Sequence, residues 1–362
     1  MKKIAIIGSV GIPAKYGGFE TLADQLVKQL KNKFNFVVYC SKKVYCHKDR
    51  LNSYNNSKLV YLPLSANGAE GVLYDIISLL HSYLIEKVES ILVLGVGASP
   101  LFPFLKFFSK NTKIISHIDG LEWTRDKWSS QAKTYLKFCE KIAVKYADII
   151  ISDNEEIYNY VYKKYGLITP VIAYGGDHTI VLPNIEPNPF SSLNEKYAFS
   201  VCRIEPENNI HIILQSFSLL ELDLIIIGNW NDSNYGQQLR KEYSKFSNIH
   251  LLDPIFDQIK LDSIRRNCYL YIHGHSAGGT NPSLVEAMWL GLPIIAWDVL
   301  YNRYSTKNKA KYFDSPESLK IIIKEQNSQT IKQLSLQMKE VAHENYTWTK
   351  IASEYSIIFN ND

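Results

Sequence analysis

The stretch YIHGHSAGGTNPSLVEAMWLGLP (Tyr271–Pro293) holds the reading of the fold. Its β-branched and aromatic start predicts a strand ending at His273, and a Gly/Ser/Thr/Asn loop follows. A helix carrying Glu286 is predicted to begin near Pro282, because proline suits a first helical turn. Gly291, Leu292 and Pro293 then turn tightly into the next strand. Strand, loop, helix and strand in so short a span is the pattern of an α/β unit around a parallel sheet. The loop offers backbone N–H donors to a phosphate, and Glu286 can accept from sugar hydroxyls. His273 and His275 are read as part of this scaffold rather than as metal ligands.

The same alternation extends in both directions. Around this stretch, Ala198–Cys202, Leu224–Ile227, His250–Leu252, Leu270–His273 and Pro293–Ala296 read as strands, and Ile210–Leu220, Gly236–Phe246, Leu284–Leu290 and Ser315–Lys324 as helices. Earlier, Ile4–Ile7, Phe36–Tyr39, Leu59–Tyr61, Ile91–Leu94, Lys113–Ser116 and Ile149–Ile151 read as strands, with Glu20–Leu30, Val72–Glu86 and Ser129–Tyr146 as helices. A chain of 362 residues suits two domains of roughly 150 to 180 residues each. The prediction is two open Rossmann-like sheets facing across a cleft, over residues 1–180 and 195–345. The proline-rich VLPNIEPNPFSSLN (Val181–Asn194) reads as the connector. Residues 346–362 are expected to form a helix outside the second repeat, with Thr347–Phe359 as its amphipathic part.

Open parallel sheets bind ligands beyond the carboxyl ends of their strands, and the unusual residues fall there. GSVGIPAKYGGFE (Gly8–Glu20) links the first strand to the first helix; Gly17 and Gly18 permit close backbone approach to a phosphate, or serve only as a turn. It is not a G-x-G-x-x-G fingerprint, nor a Walker A loop. SHIDGLEWTRDKW (Ser116–Trp128) places His117 and Asp119 at a strand end, crowds Glu122, Arg125 and Asp126 beside them, and offers Trp123 and Trp128 to a sugar face, or to packing. In ISDN (Ile151–Asn154), Asp153 either orients an acceptor hydroxyl or caps the next helix. In VCRIEPENN (Val201–Asn209), Arg203 either holds a diphosphate or pairs with Glu205 or Glu207.

Composition narrows the classes. Hydrophobic residues make up 46% and charged residues 21%, as in ordinary soluble globular proteins. The five cysteines are scattered without a C-x-x-C pair, which suits reduced, mostly buried thiols of a cytoplasmic protein. MKKIAIIGSVG reads as a first strand rather than a signal peptide, and no stretch is long and apolar enough to span a membrane. Residues 1–180 carry 23 Lys+Arg against 16 Asp+Glu, whereas the remainder carries 17 against 20. That asymmetry suggests an acidic partner for the first half, such as an anionic membrane surface; no recognised motif supports nucleic acid. The absence of D-x-D argues against a metal-dependent GT-A transferase, and the absence of H-E-x-x-H against zinc-dependent hydrolases.

IPAKYGGFET (Ile12–Thr21), DGLEWTRDKW (Asp119–Trp128), AYGGD (Ala173–Asp177), RIEPENN (Arg203–Asn209) and HGHSAGGTNPSLVEAM (His273–Met288) together give the chain a resemblance, over its whole length, to family 4 glycosyltransferases of the GT-B type. The first half resembles bacterial rhamnosyltransferases that build capsule, O-antigen and cell-wall polysaccharides. The resemblance implies a retaining, metal-independent transferase without a cofactor, whose co-substrate is a nucleotide-diphosphate sugar, dTDP-L-rhamnose first among them. The acceptor would be a lipid-linked saccharide, at the inner face of the cell membrane. Donor contacts are implied for Gly17, Gly18, Arg203, Asn208, His275, Gly278, Gly279, Thr280, Asn281, Ser283 and Glu286. Asp119, Asp153 and Arg203 would be catalytic, and His117, Glu122, Trp123 and Arg125 would meet the acceptor.

Two positions depart from the wider family: Gly278 stands where the first glutamate of E-x7-E is usual, and Asn208 where a lysine is usual. Both departures match the rhamnosyltransferase-like branch. Thr347–Phe359 resembles the helix that crosses back to the N-terminal domain. LFPFLKFFSK (Leu101–Lys110) mixes aromatics with lysines, as an interfacial patch or as a packed helix start. A UDP- or GDP-sugar donor, and a GT-B-like sugar-nucleotide epimerase, are the alternatives.

Overall fold

A computed structural model describes residues 1–15, 17–109, 111–125, 128–179 and 196–361. The expected connector, residues 181–194, lies outside them, as do Lys110 and Asp126. The chain divides into two compact units: Met1–Tyr174 with Trp348–Asp362, and Gly175–Thr347.

The first unit runs β1 (Lys3–Ile7), α1 (Gly18–Leu30), β2 (Asn35–Ser41), β3 (Ser53–Tyr54), β4 (Ser57–Leu62), α2 (Gly68–Leu84), β5 (Ser90–Leu94), α3 (Phe102–Phe108), β6 (Lys113–Ile118), α4 (Ser130–Tyr146), β7 (Ile149–Ser152) and α5 (Glu155–Tyr165). Strands such as KIAII and SILVL are buried throughout nearly their whole length, as expected of a sheet covered on both faces. The order is β3-β4-β2-β1-β5-β6-β7, all parallel except the short β3. The β3–β4 hairpin was not expected. It closes through Asn55 and Asn56, both at positive φ (45° and 62°), the backbone that a two-residue hairpin requires. The helix expected after Asp153 is α5; Asn154 caps its start and Gly166, in the left-handed region, ends it.

The C-terminal helix, Trp348–Asn360, belongs to this first unit and packs on α1. Trp348, Ile351, Tyr355 and Phe359 are buried in its core. Phe359 meets Phe34 and Phe36 edge-on, at 5.4 and 6.2 Å. Each such buried side chain contributes about 1.5–3 kcal/mol, which is enough to hold a terminal helix far in sequence from its partners.

The second unit runs β8 (Tyr197–Val201), α6 (Ile210–Phe217), β9 (Asp223–Ile227), α7 (Asn234–Tyr243), β10 (Ile249–Leu252), α8 (Gln258–Arg266), β11 (Leu270–His273), α9 (Pro282–Trp289), β12 (Ile294–Trp297), α10 (Leu300–Ser305), β13 (Lys311–Phe313), α11 (Pro316–Lys324) and α12 (Ser328–Asn345). Its parallel sheet has the order β10-β9-β8-β11-β12-β13. Helices α8, α10 and α12 went unread, because their apolar stripes are narrow and their sequences mostly polar. Disregarding β3, the two sheets share one winding pattern that reverses between β1 and β5, and between β8 and β11. Those reversals are where an open sheet leaves a crevice for ligand.

At the first reversal, Gly8 (φ 86°) lies so close to β5 that a Cβ would stand 2.2 Å from the Leu94 carbonyl oxygen. Gly8→Ala is therefore expected to cost about 2 kcal/mol or more. Gly68→Ala is the comparison: its φ is 69° with open space around the missing Cβ, so strain alone costs about 1 kcal/mol. Urea midpoints followed by tryptophan fluorescence should fall further for the first variant.

Candidate active site

In the second unit, the loops after β8 and β11 are stitched together at the reversal. The Ser276 amide and hydroxyl both donate to the Glu207 carbonyl, at 2.9 and 2.8 Å. Asn209 Nδ2 donates to the Gly274 carbonyl at 2.9 Å. Gly274 allows this approach, since a Cβ there would lie 2.1 Å from the Asn208 carbonyl oxygen. Arg203 leaves β8 with its side chain 45% exposed and a Glu205 oxygen 3.6 Å away, so both readings of it hold in part: a loose ion pair, still open to an anion. Asn208 is buried, and its amide donates to the Arg203 carbonyl at 2.7 Å; it shapes the loop that carries the arginine.

Beyond β11, the buried His273 ring stacks on His275 at 4.3 Å. Gly278 sits at φ 125° with open space where a side chain would be, while Gly279 and Thr280 are buried. Asn281 is the N-cap of α9, its Oδ1 accepting from the Ser283 amide at 3.1 Å and hydroxyl at 2.8 Å. Asn281 and Ser283, expected as donor contacts, thus already satisfy each other.

Glu286, one turn into α9, is held by residues the sequence did not single out. Arg265 of α8, fully buried, bridges Glu286 and Asp262. His178 Nε2 lies 3.1 Å from the other Glu286 oxygen. The AYGGD segment brings His178 there by passing tightly over α9: a Cβ on Gly176 would stand 2.9 Å from the Val285 carbonyl oxygen. Burial alone would raise the Glu286 carboxyl, but the Arg265 guanidinium and then His178 hold it down to about 2. The result is an ionised acceptor at a glycine-rich loop.

In the first unit, Asp119 and Asp153 follow β6 and β7 and both act electrostatically on the buried Tyr174 and Tyr355 hydroxyls. His117 is buried among Phe19, Tyr174 and Tyr355. Neither of its ring nitrogens has a hydrogen-bond partner among the described residues, and burial pushes its pKa from 6.5 down to about 3. The structure therefore brings His117, Asp119 and Asp153 to one sheet edge. The cap of α5 is Asn154, which accepts from the Glu156 amide at 2.9 Å, so the capping alternative for Asp153 is corrected to its neighbour.

The other expected contacts in this unit have different duties. Trp123 donates to the buried Glu140 at 2.8 Å, and Lys137 and Lys164 lie over its ring at 4.6 and 5.5 Å. Its ring is thus engaged by cations. Glu122 accepts from Arg125 at 3.0 Å and from Trp128 at 3.2 Å. At the Gly17–Gly18 loop, α1 receives its own Glu20: the Val10 amide donates to that carboxylate at 2.6 Å, and a Cβ on Gly17 would meet it at 2.0 Å. The Glu20 carboxylate therefore lies beside the Gly17 turn and ties α1 to the loop after β1.

Residues 183–340 match the family model "Glycosyl transferases group 1", and residues 1–177 match "Domain of unknown function (DUF1972)". The second unit matches group 1 glycosyltransferases, and the fold of the whole chain is GT-B. No curated protein matches its sequence. Among solved structures, it is similar to sucrose-phosphate synthase from Thermosynechococcus elongatus, at 15% identity and a TM-score of 0.82, over 99% of this chain and 98% of that one. It is also similar to Anabaena HepE in complex with UDP and glucose, at 14% identity and a TM-score of 0.75, over 100% of both chains. A Listeria monocytogenes protein assigned as UDP-N-acetylglucosamine 2-epimerase shares the fold at 14% identity and a TM-score of 0.65, over 100% of this chain and 97% of that one. Epimerase-type and transferase-type chains share the architecture, and the family match of the second unit is to the transferases.

Removing the cation between the two carboxylates tests the Glu286 cluster. Arg265→Met should destabilise the second unit by about 3–5 kcal/mol, and pairing it with Glu286→Gln should recover part of that loss in a double-mutant cycle of urea unfolding. A pH effect follows from His117. Its proton is bound more weakly in the folded than in the unfolded chain, so its contribution to stability is complete above about pH 6.5 and is lost as pH falls toward 3. His117→Phe should flatten the decline of the urea midpoint between pH 7.5 and 5 (assay conditions of order one and a half pH steps around the ordinary histidine value).

Proposed function

We propose that the chain is a retaining glycosyltransferase that moves L-rhamnose from dTDP-L-rhamnose onto a lipid-linked saccharide, in surface polysaccharide assembly at the inner face of the cell membrane. The observation that carries the donor side is the ionised Glu286 held by Arg265 and His178 beside the glycine-rich loop. It is suited to receive ribose or deoxyribose hydroxyls, while Arg203 and the Gly278–Thr280 amides face the diphosphate. His117, Asp119 and Asp153 form the acceptor side of the proposal, where the unpartnered imidazole nitrogens suit a hydroxyl. The choice of rhamnose rests on the sequence resemblance of the first half.

In the proposed step, the acceptor hydroxyl attacks the anomeric carbon on the face from which the diphosphate departs. The carbon–oxygen bond to the diphosphate breaks as the glycosidic bond forms, and a leaving phosphate oxygen takes the hydroxyl proton. No enzyme nucleophile is needed, so charge stabilisation on the diphosphate is the main catalytic contribution. A UDP-sugar donor is the second reading, favoured by the UDP in the HepE complex.

Thermal-shift measurements against dTDP, UDP, GDP and their sugar conjugates, without added metal, test the donor. Stabilisation by dTDP-L-rhamnose above the others supports the proposal; preference for a UDP-sugar replaces the rhamnose assignment, and indifference to every nucleotide removes it. With the preferred donor, Arg203→Ala should lower turnover about 10²-fold, and full activity would exclude Arg203 from the diphosphate site.

A further inference from the structure

Helix α3 turns three phenylalanines outward. Phe104, Phe107 and Phe108 are 51%, 81% and 59% exposed, and their rings touch one another, at 4.5 Å for Phe104–Phe108 and 5.0 Å for Phe107–Phe108. An exposed phenylalanine is ordinary; three in one cluster on a seven-residue helix are an apolar patch that water does not favour. Helix α3 packs on α4, whose exposed face carries Lys137, Phe138, Lys141 and Lys145. These positions fall on one side of a helical wheel, opposite the buried Cys139, Glu140 and Ala143. The only acid within α4 is Glu140, and it is turned inward to Trp123, Tyr160, Lys164 and Tyr165. Lys106 of α3 pairs with Asp148 at the foot of the patch.

We infer that the α3–α4 surface of the first unit docks on an anionic lipid bilayer. Aromatic side chains would enter the region between headgroups and acyl chains, while the α4 lysines meet the headgroup phosphates. Charge selects this occupant: α4, on which α3 packs, carries exposed cations and no exposed acid. A water-facing helix would have no use for the phenylalanines, and a neutral apolar partner none for the lysine row. The inference deepens the reading of a lipid-linked acceptor, but it rests on α3 and α4 alone and is tested without donor or acceptor. Failure of either therefore leaves the other standing.

The test is co-sedimentation of the full chain with vesicles of phosphatidylcholine alone and of phosphatidylcholine mixed with phosphatidylglycerol. Binding is expected at least about tenfold tighter on the anionic vesicles, falling steeply with salt. Phe107→Ser should weaken it about tenfold on either vesicle. Lys141→Gln with Lys145→Gln should weaken it about fivefold per lysine on anionic vesicles only. Both sites are exposed, so unchanged melting temperatures verify that the variants fold. Equal or absent binding to the two vesicles, or variants that bind like the parent chain, overturns the inference. So does a dimer in sedimentation velocity that Phe107→Ser abolishes without any vesicle binding, since the patch would then serve a second copy.

Discussion

The loop after β11 can lie against the loop after β8 only because Gly274 lacks a side chain. A Cβ there would sit 2.1 Å from the Asn208 carbonyl oxygen, closer than any non-bonded carbon and oxygen approach. Everything at this end of the second unit follows from that contact. It lets Ser276 and Asn209 cross-link the two loops, places Arg203 on one side of the reversal, and sets the glycine-rich turn at the start of α9 on the other. The winding of the sheet creates the crevice, and the missing side chain lets its two walls be joined at the base.

Within that frame the electrostatics centre on a guanidinium. A fully buried arginine is costly unless its charge is matched, and Arg265 is matched twice, by Asp262 one turn away on α8 and by Glu286 on α9. The arrangement is reciprocal: the arginine keeps Glu286 ionised where burial alone would favour the protonated acid, and the carboxylates keep the arginine soluble in the core. His178 completes the set from the segment that enters the second unit. An acceptor group fixed in place and charge state before ligand arrives needs little reorganisation when it binds.

The first unit follows a different logic. Its polar groups gather around buried aromatic rings, with His117 held neutral by burial beside Tyr174 and Tyr355, and Asp119 and Asp153 at the neighbouring strand ends. Tyr355 comes from the C-terminal helix, so this site edge depends on a segment distant in sequence. Lysines on α4 stand outward, and the helix's single acid is consumed internally.

The sequence by itself determined the two-sheet α/β architecture, most strand ends, and which loops carry unusual residues, because strand periodicity and glycine or proline punctuation are local properties of the chain. It also located Glu286 and Gly278, which lie in one continuous glycine-rich stretch. It could not show that Arg265, in the unremarkable helix sequence QIKLDSIRR, is buried against Glu286, since an arginine near a helix end usually faces water. Nor could it tell that two lysines lie over the Trp123 ring, that Glu20 binds the Val10 amide, or that Asn154 rather than Asp153 is the cap. Those assignments depend on which side chains are nearest in space, and only the packing of helices from separate parts of the chain decides that, because burial and pairing are set by neighbours that sequence order does not record.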